Sequence, residues 1–345
     1  EVEDRLDDVD ANIELKKYAD YVEDSAIREI DLTGKYLDVI RERIDLDAIK
    51  ESGIKIAHDS MFGAAQKLIK DLVGENVLEL HSDHNPGFHG QAPEPIDKNL
   101  QELAEFIPAN NCSVGIANDG DADRIGMFDE RGVFVDSHQI LSLLAKYQLE
   151  VRKETGAIVK TFSATNMLNR IAEKNGLEIM TLPIGFKHVA EKIIEGDVLV
   201  GGEESGGLAV KGHIPERDGI YIGLLITEMV VKSGKKLSQL VQELYDEYGM
   251  HATYRNDLHT SDEKKNAMMA YCKDEKLNEL AGKKVSEWSY IDGVKHIFED
   301  GSWLLVRPSG TEPVLRIYSE AGSKEDAVKL VEEATKLVDN PVIFN

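Results

Sequence analysis

Between two short apolar runs, Cys112–Ala117 and Ile125–Phe128, stands the stretch Asn118-Asp119-Gly120-Asp121-Ala122-Asp123-Arg124. Apolar runs of this length read as strands, so the acidic stretch forms a strand–loop–strand turn at the end of a sheet. Carboxylates at alternate positions fall on one side of an extended backbone and converge on one hard cation. Small Gly120 and Ala122 let the loop close around it. All-oxygen ligation suits Mg²⁺, Ca²⁺ or Mn²⁺ and disfavours a soft metal. Arg124 adds a guanidinium beside the ion, where a phosphate meets both charges. The alternative is a solvated acidic turn, since Asp and Gly are ordinary turn residues. A calcium EF-hand is excluded although Glu130 falls at its final ligand position. Arg124 occupies the place of the sharp-turn glycine, and the flanks are strands where an EF-hand needs helices.

A chain of 345 residues is too long for one ordinary core, and two to four domains are expected. The formal net charge of −24 argues against nucleic-acid and anionic-membrane partners, which are themselves polyanions. Any anionic substrate then needs a local basic pocket. Cys112 and Cys272 form no metal or redox motif, so a reducing, cytoplasmic setting is expected. No signal peptide and no apolar run of membrane-spanning length is present. The sequence assigns no oligomeric state. The chain opens on Glu1 in an acidic stretch, which reads as a piece of a longer protein.

Strands alternate with helices through the first two thirds of the chain, the mark of α/β layers. A helix is expected over Ala11–Val22, two more over Asp31–Lys50, and strands at Ile54–Ala57 and Asn76–Leu80. Further helices are expected over Gly63–Leu72 and Asp97–Phe106. The pattern then repeats: Gly53–Leu68 can be laid on Gly156–Ile171 without a gap, each reading strand, Ser-containing loop, amphipathic helix. Asp136 is placed to cap a helix running to Lys153. Val198–Val200 is a buried strand, and Ile220–Lys232 an apolar helix. Beyond Tyr248-Gly249 come a helix (Ser261–Cys272), strands at Val285–Trp288, Val294–Phe298, Trp303–Val306 and Val314–Ser319, and a closing helix (Lys324–Leu337). Hairpin strands with segregated helices make an α+β domain. The expected fold is α/β, two similar α/β layered domains followed by an α+β C-terminal domain. Their expected bounds are 26–126, 127–248 and 249–345, after a tail over 1–25.

Two further loops carry chemistry. Arg307 and Arg316 bracket a turn in which the Ser309 and Thr311 hydroxyls and the Gly310 and Thr311 amides are all donors. With a strand on each side it forms a backbone nest suited to a phosphate monoester. A plain basic hairpin is the alternative, and Glu312 speaks for it. In Gly202-Glu203-Glu204-Ser205-Gly206-Gly207 the glycines permit close backbone approach. There Glu203 and Ser205 suit the edge of a sugar, and a mobile glycine turn is the bland reading. A metal loop, a sugar-edge loop and a phosphate loop together describe a phosphosugar site.

Asn118–Arg124, Gly202–Gly207 and Arg307–Arg316 resemble, in order and separation, the metal, sugar and phosphate loops of the α-D-phosphohexomutases. These are the phosphoglucomutase/phosphomannomutase family, and the resemblance runs from about residue 26 onward. It implies four domains around a cleft, the last TATA-box-binding-protein-like, and reversible phosphoryl transfer between the 1- and 6-positions of a hexose phosphate. A phosphoserine and a hexose bisphosphate are the intermediates. By resemblance Asp119, Asp121 and Asp123 hold Mg²⁺, Arg124 assists at the reacting phosphoryl, and Glu203 and Ser205 hold the sugar hydroxyls. Arg307, Ser309, Gly310, Thr311 and Arg316 grip the other phosphate. Lys160, Lys187 and His188 are candidates for proton transfer or phosphate contact, with a snorkelling surface lysine the alternative at Lys160. His58 and His84 show no partner in the sequence and read as ordinary core or surface residues.

The family's first domain carries a Thr-Ala-Ser-His-Asn-Pro loop with the reactive serine. Here the nearest stretch is Ser82-Asp83-His84-Asn85-Pro86, within the second-domain pattern and with Asp83 in place of the serine. The chain is therefore expected to correspond to the second to fourth domains and to be inactive alone. Within the family phosphoglucosamine mutase is the alternative, and outside it a non-catalytic sugar-phosphate binding protein.

Overall fold

The computed structural model describes residues 15–309 and 313–344. Of the helix expected over Ala11–Val22, the first residues lie outside this range, and α1 (Tyr18–Glu23) is its described part. The described residues up to Arg43 form one unit, which also holds α2 (Leu32–Arg43), and those from Ile44 onward form the other.

The larger unit begins with α3 (Leu46–Glu51), β1 (Ile56–Asp59), α4 (Leu68–Val73), β2 (Val77–Leu80), α5 (Gln101–Ala109), β3 (Val114–Asn118), β4 (Ile125–Phe128) and β5 (Phe134–Val135). The strands make one sheet in the order β2-β1-β3-β4-β5, parallel at β2-β1-β3 and antiparallel beyond. The helix expected over 63–72 starts only at Leu68. Met61, Phe62 and Lys67 take left-handed backbone angles, so residues 60–67 form a turn.

The next stretch contains α6 (Ser137–Glu150), β6 (Ala157–Thr161), α7 (Met167–Asn175), β7 (Ile179–Leu182), α8 (Phe186–Glu195), β8 (Val198–Gly202), β9 (Leu208–Val210), α9 (Gly219–Ser233) and α10 (Leu237–Tyr248). Asp136 caps α6 as expected, in a reciprocal capping box with Gln139. The sheet order β7-β6-β8-β9, parallel at β7-β6-β8 and antiparallel at β9, repeats the first four strands of the preceding sheet. Helix α9 is apolar on every face, and such a helix has to be covered all round. It lies against β3 and β4 of the first sheet and against α6 and β9 of the second. At Gly223 a Cβ would stand 2.9 Å from Ile116 Cγ2, so the absence of a side chain lets α9 lie on the first sheet.

The last stretch holds β10 (Ala252–His259), α11 (Asp262–Lys273), β11 (Glu279–Leu280), β12 (Lys283–Ser289), β13 (Val294–Phe298), β14 (Trp303–Pro308), β15 (Val314–Ala321) and α12 (Lys324–Val338). Its sheet, ordered β10-β15-β14-β13-β12-β11, is antiparallel throughout. Helices α11 and α12 cover one face through Met268, Cys272, Leu330, Val331 and Ala334, packed on Leu304, Val306, Leu315 and Ile317. On the other face Trp303, Leu305 and Tyr318 meet Phe162, from the loop after β6.

A buried polar knot fastens this seam. Glu320 accepts from the Asn166 amide (3.1 Å), from Trp303 Nε1 (3.2 Å), and pairs with His251 Nδ1 at 3.0 Å. Beside it the Lys295 ammonium lies 4.0 Å from the Trp303 ring centre and donates to the Phe162 carbonyl. Burial, joined by the charge of Lys160, pushes Lys295 down to about 7. Burial alone would raise the Glu320 carboxyl, but the bond to His251 and neighbouring charges pull it from 4.5 to about 2. A carboxylate with a depressed folded-state pKa stabilises fully above its unfolded value and loses that contribution as pH falls through the folded one. Glu320→Gln is therefore expected to cost roughly 3 kcal/mol at neutral pH. Its deficit against the wild type should close as pH drops from about 4.5 towards 2. Trp fluorescence during urea unfolding at stepped pH measures this, and parallel stability curves for the two proteins would contradict it.

Candidate active site

The acidic turn leaves β3 and returns into β4. Asp119 is buried, and its two oxygens accept from the Arg124 backbone amide (2.9 Å) and from Arg124 Nε (2.8 Å). One carboxylate thus fixes the turn and aims the guanidinium. Ala122 sits at φ 65°, a left-handed conformation costing roughly 1 kcal/mol for a residue with a Cβ. Strain of this kind persists where the surroundings over-determine the backbone, and here they do. Ala64 N donates to Gly120 O (3.0 Å), Asn118 Nδ2 to Arg124 O (3.1 Å), and Gly219 N to Ala122 O (3.1 Å). One carboxylate oxygen each from Asp119, Asp121 and Asp123 gather within 4.8 Å of one another. Asp123 Oδ1 is buried and accepts no hydrogen bond among the described residues. Burial, then the charge of Asp119, pushes the Asp123 carboxyl up to about 6. Crowded carboxylates with an unsatisfied buried oxygen are what a hard divalent cation relieves, and the donor set fits one.

The glycine-rich turn between β8 and β9 abuts this loop directly. Ile125 N donates to Gly206 O (3.1 Å), and Arg124 and Gly207 form an antiparallel bridge. Ser205 Oγ donates to Glu203 Oε1 (2.7 Å), and burial raises the Glu203 carboxyl above its ordinary value. Between the two turns lies Arg217, which the sequence reading did not assign to the site. Its Nη2 is 2.6 Å from Asp123 Oδ2 and its Nη1 3.7 Å from Glu203 Oε1, with the guanidinium 5.5 Å from the Phe186 ring centre. A Cβ at position 207 would come within 2.4 Å of Arg217 Cδ. The available signal was its position before Asp218, whose side chain caps α9 and so fixes the approach of residue 217.

The arginine pair sits on the C-terminal sheet. Arg307 and Arg316 are cross-strand partners on β14 and β15, and Asp257 on β10 is in register with Arg316. Arg307 Nε donates to Asp292 Oδ1 (2.9 Å), while Asp292 Oδ2 accepts from Ile184 N (3.0 Å). That carboxylate brings the Gly185–His188 segment beside Arg307. Lys187, in the first turn of α8, is exposed, and His188 lies 3.9 Å from Glu191. Ser309 is buried, with its amide donating to Val314 O (2.9 Å); Gly310 and Thr311 lie outside the described residues. Burial, then the charge of Glu204, raises the Tyr318 phenol; Ser163, next to the Phe162 that packs on this sheet, donates to Glu204 of the glycine-rich turn. Tyr318 in turn lies under Arg255, whose guanidinium is 5.4 Å from the ring centre.

Lys160 is not a surface lysine. It is 2% exposed, and its ammonium donates to Thr165 O (2.9 Å), Asn166 Oδ1 (3.0 Å) and Ala164 O (3.4 Å). Burial pushes it down to about 8, and its work is to hold the loop that carries Phe162. At Arg217 the contacts make a different demand. Arg217→Met removes the charge that Asp123 and Glu203 share, and is expected to lower stability by about 1–3 kcal/mol in metal-free buffer. Millimolar Mg²⁺ should recover part of the loss by replacing the missing positive charge. Denaturant unfolding with and without Mg²⁺ measures both effects, and an unaltered midpoint would remove Arg217 from the junction.

Comparison with known proteins identifies the family. Residues 34–132 match the family description "Phosphoglucomutase/phosphomannomutase, alpha/beta/alpha domain II". Residues 136–248 match domain III, and 262–337 the C-terminal domain of the same family. A phosphoglucomutase/phosphomannomutase of Thermococcus kodakarensis is 35% identical over 320 residues, which cover 90% of this chain and 68% of the relative. A phosphoglucosamine mutase of Methanocaldococcus jannaschii is 33% identical over 309 residues, covering 88% and 66%. Among solved structures, one from Thermus thermophilus described as a phosphomannomutase superposes with a TM-score of 0.77 at 36% identity, over 90% of this chain and 67% of that one. The Paramecium phosphoglucomutase parafusin, 24% identical, shares the fold with a TM-score of 0.76, over 92% of this chain and 63% of that one. The chain thus spans about two thirds of the length of its relatives. It belongs to the phosphoglucomutase/phosphomannomutase family.

Proposed function

We propose that this chain supplies the metal, sugar and phosphate grips of an α-D-phosphohexomutase acting on glucose or mannose phosphates. The observation that carries the reading is the junction at Arg217, which joins the triple-aspartate turn to the turn of Glu203 and Ser205. In this reading Asp119, Asp121 and Asp123 hold Mg²⁺, which neutralises charge on the reacting phosphoryl oxygens. Arg124, aimed by Asp119, stabilises charge developing on the phosphoryl group. Glu203 accepts from two neighbouring sugar hydroxyls, and Ser205 exchanges its bond to Glu203 for one to the sugar. Arg307, Ser309, Gly310, Thr311 and Arg316 grip the phosphate that is not reacting. Lys187 and His188 remain candidates for proton transfer or phosphate contact. A fixed phosphate grip paired with a sugar-edge grip accepts both orientations of one hexose bisphosphate.

The family reaction passes through a phosphoserine, and these 345 residues contain no Thr-Ala-Ser-His-Asn-Pro stretch. The chain by itself is therefore read as binding hexose phosphates without turning them over, in a cytoplasmic setting that keeps the buried thiols of Cys112 and Cys272 free. A second reading, phosphoglucosamine mutase, is favoured by relatives of that name at 32–34% identity. Calorimetry with glucose, mannose and glucosamine 6-phosphates separates the two by rank of affinity.

Arg316→Ala should weaken glucose 6-phosphate binding by about 1.5–3 kcal/mol through lost charge-assisted hydrogen bonds. Unchanged affinity would take Arg316 out of the site. In a coupled mutase assay primed with hexose bisphosphate, the chain alone is expected to show no turnover, and robust turnover would refute that part of the reading.

A further inference from the structure

His58 is fully buried in the middle of β1 and takes no part in the reading above. Strand β1 runs parallel to β3 with His58 opposite Ile116, so Asn118, two residues on, shares its face of the sheet. His58 Nε2 lies 3.3 Å from Asn118 Oδ1, and Asn118 Nδ2 donates to the Arg124 carbonyl at 3.1 Å. The orientation of this chain of bonds is forced. The Arg124 carbonyl can only accept, so the Asn118 amide nitrogen must face it and the amide oxygen must face the imidazole. That oxygen can only accept, so the ring carries its proton on Nε2. The other nitrogen, Nδ1, is buried with no hydrogen-bond partner among the described residues. Burial holds the ring neutral, pushing it down to about 4 against the opposing pulls of Asn118 and Asp59. A neutral histidine that leaves one ring nitrogen unsatisfied in a sheet interior costs stability relative to an apolar residue of its size. What it provides in return is one directed donor, aimed at the root of the acidic turn.

Little else can take that place. A Cβ at Gly219 would stand 2.4 Å from both Arg124 O and Asn118 Nδ2, so the first residue of α9 closes the space around the amide. Asn118 immediately precedes Asp119, and Arg124 immediately follows Asp123. Asn118 therefore ties the two ends of the ligand loop together, its nitrogen engaged by the Arg124 carbonyl and its oxygen by the His58 donor.

We propose that His58 is a positioning residue for the metal loop: its Nε2–H locks the Asn118 side chain, which clamps the Arg124 carbonyl and holds the three aspartates in ligating register. This rests on the reading of Asp119, Asp121 and Asp123 as metal ligands, and the two fail separately in the experiment. The Gln side chain places an amide donor about where Nε2 lies, whereas Leu fills similar space and donates nothing. Mn²⁺ binding to the purified chain at pH 7, followed by loss of the free-ion EPR signal, is compared for wild type, His58→Gln and His58→Leu. Partners behind metal ligands typically govern affinity by 10-fold or more, so His58→Leu should bind Mn²⁺ about 10-fold more weakly while His58→Gln stays near the wild type. Equal Mn²⁺ affinity of the Leu variant and the wild type would overturn the proposal. So would a Gln variant as weak as Leu. If the wild type takes up no Mn²⁺, the metal-ligand reading itself falls. The ¹⁵N shifts of the wild-type histidines judge His58 without relying on a variant's folding or on metal: a proton on Nε2 is required, and one on Nδ1 overturns the clamp.

Discussion

Backbone hydrogen bonds join the acidic turn to the glycine-rich turn and to the start of α9. Gly206 O receives the Ile125 amide, Ala122 O receives the Gly219 amide, and Arg124 bridges to Gly207. Side chains cannot intervene there. A Cβ at Gly206 would lie 2.6 Å from Ile125 O, and one at Gly219 2.4 Å from Arg124 O. The glycines of two separate sequence stretches are thus one requirement, a main chain bare enough for two turns to touch. Everything else follows from that approach: Arg217 can reach Asp123 and Glu203 together only because their backbones already meet.

The charge arrangement is local in the same sense. A chain of net charge −24 repels anions on the whole, yet arginines stand at each candidate turn, Arg124 and Arg217 at the acidic and glycine-rich turns and Arg307 and Arg316 on the C-terminal sheet. Each described pairing is with a nearby carboxylate: Arg124 with Asp119, Arg217 with Asp123, Arg307 with Asp292. These guanidiniums are held in place by their carboxylates, which under the proposed function would lower the entropy cost of ordering them around a phosphate.

Sequence reading recovered most of the architecture because its signals are local. The strand–acidic turn–strand, the capped helix at Asp136, the apolar α9 and the hairpins after residue 283 each announce themselves by period, cap or turn residue. What it did not announce depends on neighbours distant in sequence. Strand β10 has a mostly exposed, charged face, Tyr254 to His259, and carries no apolar run; its pairing with β15 makes it a strand. Strand β7 sits at a sheet edge, half-buried along its length. Lys160 read as a strand-end lysine placed for proton transfer or phosphate contact, with a snorkelling surface lysine as the alternative, and only the loop folding back through residues 164–166 shows its ammonium captured inside. Arg217 was visible only as one residue of a polar segment, because both of its partners come from other parts of the chain.

The equal strand orders of the two α/β sheets give the acidic turn and the glycine-rich turn the same address. One joins β3 to β4, the other β8 to β9, and each follows the last parallel strand of its sheet. Two copies of one scaffold have been set tip to tip and then furnished differently, a cluster of three aspartates on one and Glu203 with its Ser205 partner on the other. Under the proposed function, retuning which cation is favoured and retuning which sugar is favoured would be separable problems, each confined to a handful of positions on its own half. Only the mutual surface of bare peptide between them has to stay the same.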